Sequence, residues 1–305
     1  MNNTCLIISS KNQYKFIDKI INAVNNMSIK PDILYYVLDR ESYVGKKYCN
    51  IKIKELKCEY ELIINDQYPD YCGRPSMHND IDYFLTGYCR NICIDKAINI
   101  GINQFIFIDG DCVPEKDLIK DYINILNTKT SILAFGKRKE EMYKWNDQRC
   151  ISDTNVNTIF KNEYNEIIDE SLFIDSAVVW TCNVGMNISC INEIKQINNM
   201  CYGKNEVFSS LFYGTWGGED GFLGLECLYS SNIKVYSINT LYSGIRHIYH
   251  ERPKNKYAHK AFIFYLEKKR EELLNIMQYL NLCSNKYKFM KKKFIPTCRT
   301  NIKAS

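Results

Sequence analysis

No run in this 305-residue sequence approaches the roughly 18 apolar residues that a membrane-spanning helix needs. The chain opens Met1-Asn2-Asn3-Thr4 and then has only a short apolar run, Cys5 to Ile8. That is too short for a secretory signal, which needs about 7–15 apolar residues and a small-residue cleavage site. These absences lead us to expect a non-exported, cytoplasmic protein without an integral membrane segment. No Gly-rich loop follows the first strand-like stretch; Ser9-Ser10-Lys11-Asn12-Gln13 stands there instead. That argues against a P-loop NTPase, a dinucleotide-binding Rossmann enzyme and a sugar nucleotidyltransferase. Proline (6) and glycine (14) are scarce, so low-complexity linkers are not expected. None of the 14 cysteines forms a CxxC pair, so buried, reduced thiols are the expectation. The net charge of +5 is too small to point to nucleic acid, although it suits an anionic small molecule.

The sequence does hold an alternation of strand and helix patterns. Thr4–Ser10, Asp32–Asp39, Glu59–Ile64 and Gln104–Ile108 are rich in β-formers. Tyr14–Val24, Phe84–Ile100 and Pro114–Leu126 place apolar residues at helical spacing. This order predicts a largely parallel sheet flanked by helices. Ile132–Phe135, Val178–Met186 and Lys234–Ile238 read as further strands. Residues 137–170 read as a polar excursion and Tyr257–Leu282 as an amphipathic helix. A basic tail follows, with Lys286, Lys288 and Lys291 to Lys293, and offers a weak peripheral contact with an anionic membrane. Abundant Asn, Ile, Lys and Tyr suggest an AT-rich genome; were that genome viral, the expected compartment is the host cytoplasm.

Three motifs carry chemistry. Phe105-Ile106-Phe107-Ile108-Asp109-Gly110-Asp111 sets two carboxylates just past the carboxyl end of a buried strand, the edge where open α/β sheets bind ligands. A carboxylate pair there can hold a hard divalent cation, with Gly110 expected to permit a sharp turn between them. Trp216-Gly217-Gly218-Glu219-Asp220 joins a flat apolar ring, two small residues and adjacent acids, one of which can take a proton from a hydroxyl. The same acids would also suit a helix N-terminus. Ile245-Arg246-His247-Ile248-Tyr249-His250 supplies imidazoles to complete a metal site begun by Asp111. Strand alternation would put His247 and His250 on opposite faces, leaving one as ligand. Asp39-Arg40 and Arg90-Asn91 are weaker signals for the nucleotide end.

In this order the motifs, over about residues 4–253, resemble the GT-A glycosyltransferases. They are similar to the inverting family-2 enzymes, the β-1,4-galactosyltransferases and the polypeptide N-acetylgalactosaminyltransferases. The resemblance implies a GT-A fold: a Rossmann-like, mostly parallel central sheet flanked by helices, with a smaller mixed sheet on the acceptor side. It implies one transferase domain over residues 1–255, with a nucleotide-sugar half (1–112), an acceptor half (113–255) and a tail (256–305). It further implies a nucleotide-sugar donor, UDP-linked, lying against Ser9, Asp39, Arg40, Arg90, Asp109 and Asp111. Mn²⁺ or Mg²⁺ would be held by Asp111 with His247 or His250, and by Asp109. An acceptor glycan or glycoprotein would meet Trp216, Gly217, Gly218 and Asn183, with Asp220 (beside Glu219) as catalytic base and inversion as the outcome. Gly221 stands where the galactosyltransferases carry a further acidic residue, so their acceptor preference is not implied. The alternatives are a non-catalytic carbohydrate- or nucleotide-sugar-binding protein on a transferase fold, or a sugar nucleotidyltransferase.

Overall fold

The computed structural model describes residues 3–67, 85–136, 138–140, 181–210, 219–230, 232–238, 244–248 and 250. The helix expected over Tyr257–Leu282, the basic tail and most of the polar excursion lie outside them.

A seven-stranded sheet forms the centre, in the order β3-β2-β1-β4-β8-β6-β9. The strands are β1 (Thr4–Ser10), β2 (Ile33–Asp39), β3 (Glu59–Asn65), β4 (Gln104–Asp109), β6 (Ser131–Gly136), β8 (Asn183–Asn187) and β9 (Ile233–Ile238). All run parallel except β8, which lies antiparallel between β4 and β6. A second, three-stranded sheet orders β5 (Cys112–Pro114), β10 (Ile245–His247) and β7 (Arg138–Glu140) as β5-β10-β7.

The two-residue period of the strands sorts the core into two layers. Cys5 and Ile7 of β1, with Phe105 and Phe107 of β4, face α3 (Thr86–Asn99), α5 (Ile188–Tyr202) and α6 (Glu219–Tyr229). Leu6 and Ile8, with Ile106 and Ile108, face α1 (Ile17–Asn25), α2 (Tyr43–Lys52) and α4 (Leu118–Leu126). Every residue of β1 and β2 is buried, which explains their unbroken apolar reading. Each fully buried Ile or Leu contributes about 1.5–3 kcal/mol by leaving water.

The helix starts depend on polar residues that the strands deliver. Ser42 caps α2 by accepting from Gly45 N (3.1 Å), and Asn187 caps α5 by accepting from Cys190 N (3.1 Å). Asp39, fully buried at the end of β2, accepts from Leu85 N (2.9 Å) at the start of α3. Gly203 ends α5 in the left-handed conformation (φ 72°). A buried carboxyl stands out: Glu226, midway along α6, is 0% exposed, and neither of its oxygens makes a hydrogen bond. Among the described residues no helix is long and apolar enough to cross a membrane.

The structure departs from the sequence reading in several elements. α2 and α5 are additional helices. Pro114 belongs to β5, and α4 starts only at Leu118. Gly110 is not among the described residues with positive φ. A Cβ there would sit 2.6 Å from Ser10 Cβ and Oγ, so close packing against the end of β1 requires glycine.

Candidate active site

β1, β2 and β3 step to one side of the sheet, and the chain then crosses back to lay β4 on the other side of β1. The strand order therefore reverses between β1 and β4, and the crevice beyond their carboxyl ends is where such sheets bind ligands. Register places Ser9 beside Asp109 there, and Gly110 N donates to Ser9 O (2.8 Å). Ser9 is buried, and its hydroxyl has no hydrogen-bond partner.

Strand pairing brings the histidines to Asp111. β5 begins at the next residue, and β10 pairs antiparallel with it, setting His247 across from Cys112. Ile248 N then donates to Asp111 O (2.8 Å). β10 ends at His247, so strand alternation no longer governs His250, and the expected opposition of the two rings does not occur. Both reach the same carboxylate oxygen: Asp111 Oδ2 lies 2.9 Å from His250 Nε2 and 3.4 Å from His247 Nε2. Gln13 donates to that oxygen as well (2.7 Å). Burial raises the Asp111 pKa, but hydrogen bonds from His247 and His250 outweigh it and hold the carboxyl below its ordinary range. One carboxylate oxygen and two imidazole nitrogens within 4.8 Å of one another form a donor set that fits a divalent cation.

Asp109 is held differently. Arg90, fully buried on α3, donates to Asp109 Oδ1 (2.5 Å), to Thr181 Oγ1 (2.5 Å) and to Thr181 O (3.2 Å), with its guanidinium over the Phe208 ring. Asp109 keeps 31% of its side chain exposed. Its pKa is nevertheless pushed up to about 6: burial, Asp111 and Asp220 raise it, against Arg90 and Arg138, which lower it.

Asp220 and Glu219 open α6, where the helix dipole favours acids. Their side chains are half-buried. Glu219 is pushed up to about 8 by burial and by Asp220, with Asp109 adding and Arg90 opposing. These mutual influences mean that Asp109, Arg90, Glu219 and Asp220 share one electrostatic neighbourhood. Acids 110 residues apart in sequence thus lie close enough to shift one another's protonation. Trp216, Gly217 and Gly218 lie outside the described residues.

The remaining expected residues sit deeper. Asp39 Oδ1 accepts from Arg40 Nε (2.8 Å) and Asn65 Nδ2 (3.2 Å), and Oδ2 from Arg40 Nη2 (2.6 Å) and Leu85 N. With both oxygens engaged by the protein, Asp39 organises the strand ends. Arg40 takes a left-handed backbone (φ 45°), as does Asn12 (φ 55°) at the end of β1. Glu41 ties the two turns together by accepting from Asn12 N (2.6 Å) and Ser42 N (2.8 Å). Asn183 is buried, and its side-chain oxygen accepts from Tyr122 OH (2.9 Å) on α4. Asn91 clamps the turn after α5 through Val207 N, Phe208 N and Phe208 O. The sequence reading overlooked Gln13 and Arg138. Gln13 was discoverable because it closely follows the end of β1, whereas Arg138 offered no local signal.

No family model matches the chain, and no curated protein matches it. The fold is similar to that of S. aureus TarS. The complex of TarS 1-349 with UDP-GlcNAc superposes with a TM-score of 0.54 at 13% identity, over 92% of this chain and 72% of that one. TarS 1-349 alone gives 0.53 at 14% identity, over 99% and 75%. A further TarS structure is covered to 43% of its chain. At this identity the likeness establishes architecture: a mainly parallel α/β sheet flanked by helices, with a small second sheet, similar to the GT-A glycosyltransferases.

Proposed function

We propose that this chain is a metal-dependent, inverting glycosyltransferase that moves a sugar from a nucleotide-sugar donor, UDP-linked, to a hydroxyl of a glycan or glycoprotein. The observation that carries the reading is the convergence of the Asp109–Asp111 turn, the two histidines and the acids of α6 at the reversal of strand order. The TarS complex with UDP-GlcNAc, on the same architecture, favours a UDP-sugar.

Asp111, His247 and His250 are the proposed ligands of the cation. Two imidazoles favour Mn²⁺ over Mg²⁺, which prefers an all-oxygen shell. The bound cation would supply a positive charge that stabilises the departing diphosphate. Arg90 keeps Asp109 turned into the crevice. Glu219, with its raised pKa, is largely protonated at neutral pH and serves as a hydrogen-bond donor. That leaves Asp220 as the base. Asp220 accepts the proton of the acceptor hydroxyl while the hydroxyl oxygen bonds to the anomeric carbon and the bond to the diphosphate breaks, the electron pair leaving with the diphosphate. A base so positioned contributes about 10²–10⁴-fold.

The test is UDP release from a panel of UDP-sugars with and without Mn²⁺, followed by NMR of the product. Mn²⁺-dependent UDP release and a β-linked product from an α-linked donor are expected. An α-linked product would remove Asp220 as base, and binding without any UDP release would make the chain a non-catalytic binding protein.

A further inference from the structure

A second cluster of potential metal ligands lies beside the first, built from Asp109 and two cysteines that the transferase reading leaves idle. Antiparallel pairing of β8 with β4 sets Asn183 across from Ile108, so Cys182, the residue before, comes level with Asp109. β5 starts with Cys112 immediately after Asp111. The result is a carboxylate and two thiols whose ligand atoms lie within 4.8 Å of one another, drawn from positions 109, 112 and 182. Both cysteines are buried, while Asp109 stays partly exposed and gives the cluster an opening to solvent. Cys112 donates its S–H to Asp111 Oδ1 (3.3 Å), and the Cys182 thiol lies against it. Asp109 Oδ1 is taken by Arg90, and Oδ2 makes no hydrogen bond.

We propose that Asp109, Cys112 and Cys182 form a binding site for a thiophilic divalent cation of the zinc class, distinct from the Asp111–His247–His250 donor set. Two sulfurs and one oxygen suit such an ion and leave a fourth, open position toward the crevice. The neighbouring set, with one oxygen and two nitrogens, suits a harder ion. Binding replaces the two thiol protons, which pass to solvent, by two metal–sulfur bonds, with no change of oxidation state. Cys190 and Cys227 also touch, but among the described residues no third donor completes that pair. Occupancy would tie the second sheet, through Cys112, to the start of β8, through Cys182. It would also engage Asp109, so a zinc-class ion is expected to inhibit whatever reaction Asp109 serves. The site itself does not rest on the transferase reading and stands if that reading fails.

The experiment uses the full, reduced, chelator-treated chain titrated with Cd²⁺, read by the near-ultraviolet thiolate-to-metal charge-transfer absorption. Nitrogen and oxygen ligands do not give this band, so Cd²⁺ at Asp111 and the histidines is silent. A band saturating at one equivalent is expected, unchanged in Cys58→Ser and lost in Cys182→Ser. In Asp109→Asn the affinity should fall about tenfold or more. Asp109 is partly exposed, so this variant decides the matter if Cys182→Ser does not fold. Absence of the band from the wild-type chain, or wild-type titration by either Cys182→Ser or Asp109→Asn, overturns the proposal.

Discussion

Replacing Glu226 by Gln should stabilise the protein, and increasingly so as the pH rises. The carboxyl lies fully buried on α6, and neither oxygen has a hydrogen-bond partner. Burial pushes its pKa well above the ordinary 4.5, with Cys227 and Glu206 adding to the shift. α6 packs on α5 and β9, and among the described residues no cation offsets the shift. A folded-state pKa raised in this way means that folded chains hold a proton which unfolded chains release. The wild-type carboxyl's contribution is therefore intact below pH 4.5 and is lost as the pH climbs toward the folded value. One proton's difference corresponds to about 1.4 kcal/mol per pH unit. Between pH 5 and pH 7 the wild type should thus lose up to about 2.7 kcal/mol relative to Glu226→Gln, which has the same shape and cannot ionise. With a urea m-value of about 2.5 kcal/mol/M, the midpoints should separate progressively over that range, by up to about 1 M. Urea unfolding of both proteins at pH 5, 6 and 7 measures this. A constant separation across the three pH values would show that Glu226 does not carry its proton into the fold, and the reasoning would fail.

Four further outcomes follow from the site. Asp220→Asn should lower kcat about 10²–10⁴-fold in a UDP-release assay while donor binding by calorimetry stays within a few-fold of wild type. His250→Ala should abolish the rise in melting temperature that saturating Mn²⁺ gives the wild type, because the ion then loses a ligand held only by the folded chain. Arg90→Met keeps much of the side-chain volume but leaves Asp109 without its cation. Breaking a buried pair costs about 3–5 kcal/mol, and solvent reaching Asp109 reduces this to about 2–3 kcal/mol by chemical denaturation. Gly110→Ala should cost about 1–3 kcal/mol, since its methyl would overlap Ser10, and should lower activity by spreading the two aspartates.

Much of the architecture was legible because fully buried strands leave an unmistakable mark. β1 and β4 are unbroken apolar runs, and Asp109 and Asp111 stand out against them. α2 was not legible: its exposed Tyr43, Val44 and Ile51 blur the amphipathic pattern, since their burial is decided by neighbours rather than spacing. The site divided along the same line. Residues at strand ends could be picked out, because the sheet edge is where ligands bind. The meeting of both histidines with Asp111 could not, because it depends on β10 pairing with β5 and on the chain leaving strand geometry at His247. Asp39 shows what a strand-end reading leaves out. A carboxylate at a strand end looks available for a ligand, yet four protein donors occupy it, and no local pattern discloses partners as distant as Asn65 and Leu85. The contact between Cys112 and Cys182 was equally hidden, because antiparallel register across β8 leaves no trace in spacing.

The pairing of β5 with β10 has a further consequence for synthesis. Asp111 and His250 are 139 positions apart, and β10 needs β5 already in place as its partner. A ribosome adding about 5–20 residues per second finishes the Asp109–Asp111 turn many seconds before it delivers the rings. Throughout that interval the growing polypeptide presents acids with no imidazole beside them. The full Asp111–His247–His250 donor set would therefore form abruptly and late in translation, and premature termination ahead of residue 247 would yield chains with most of the sheet and no complete donor set.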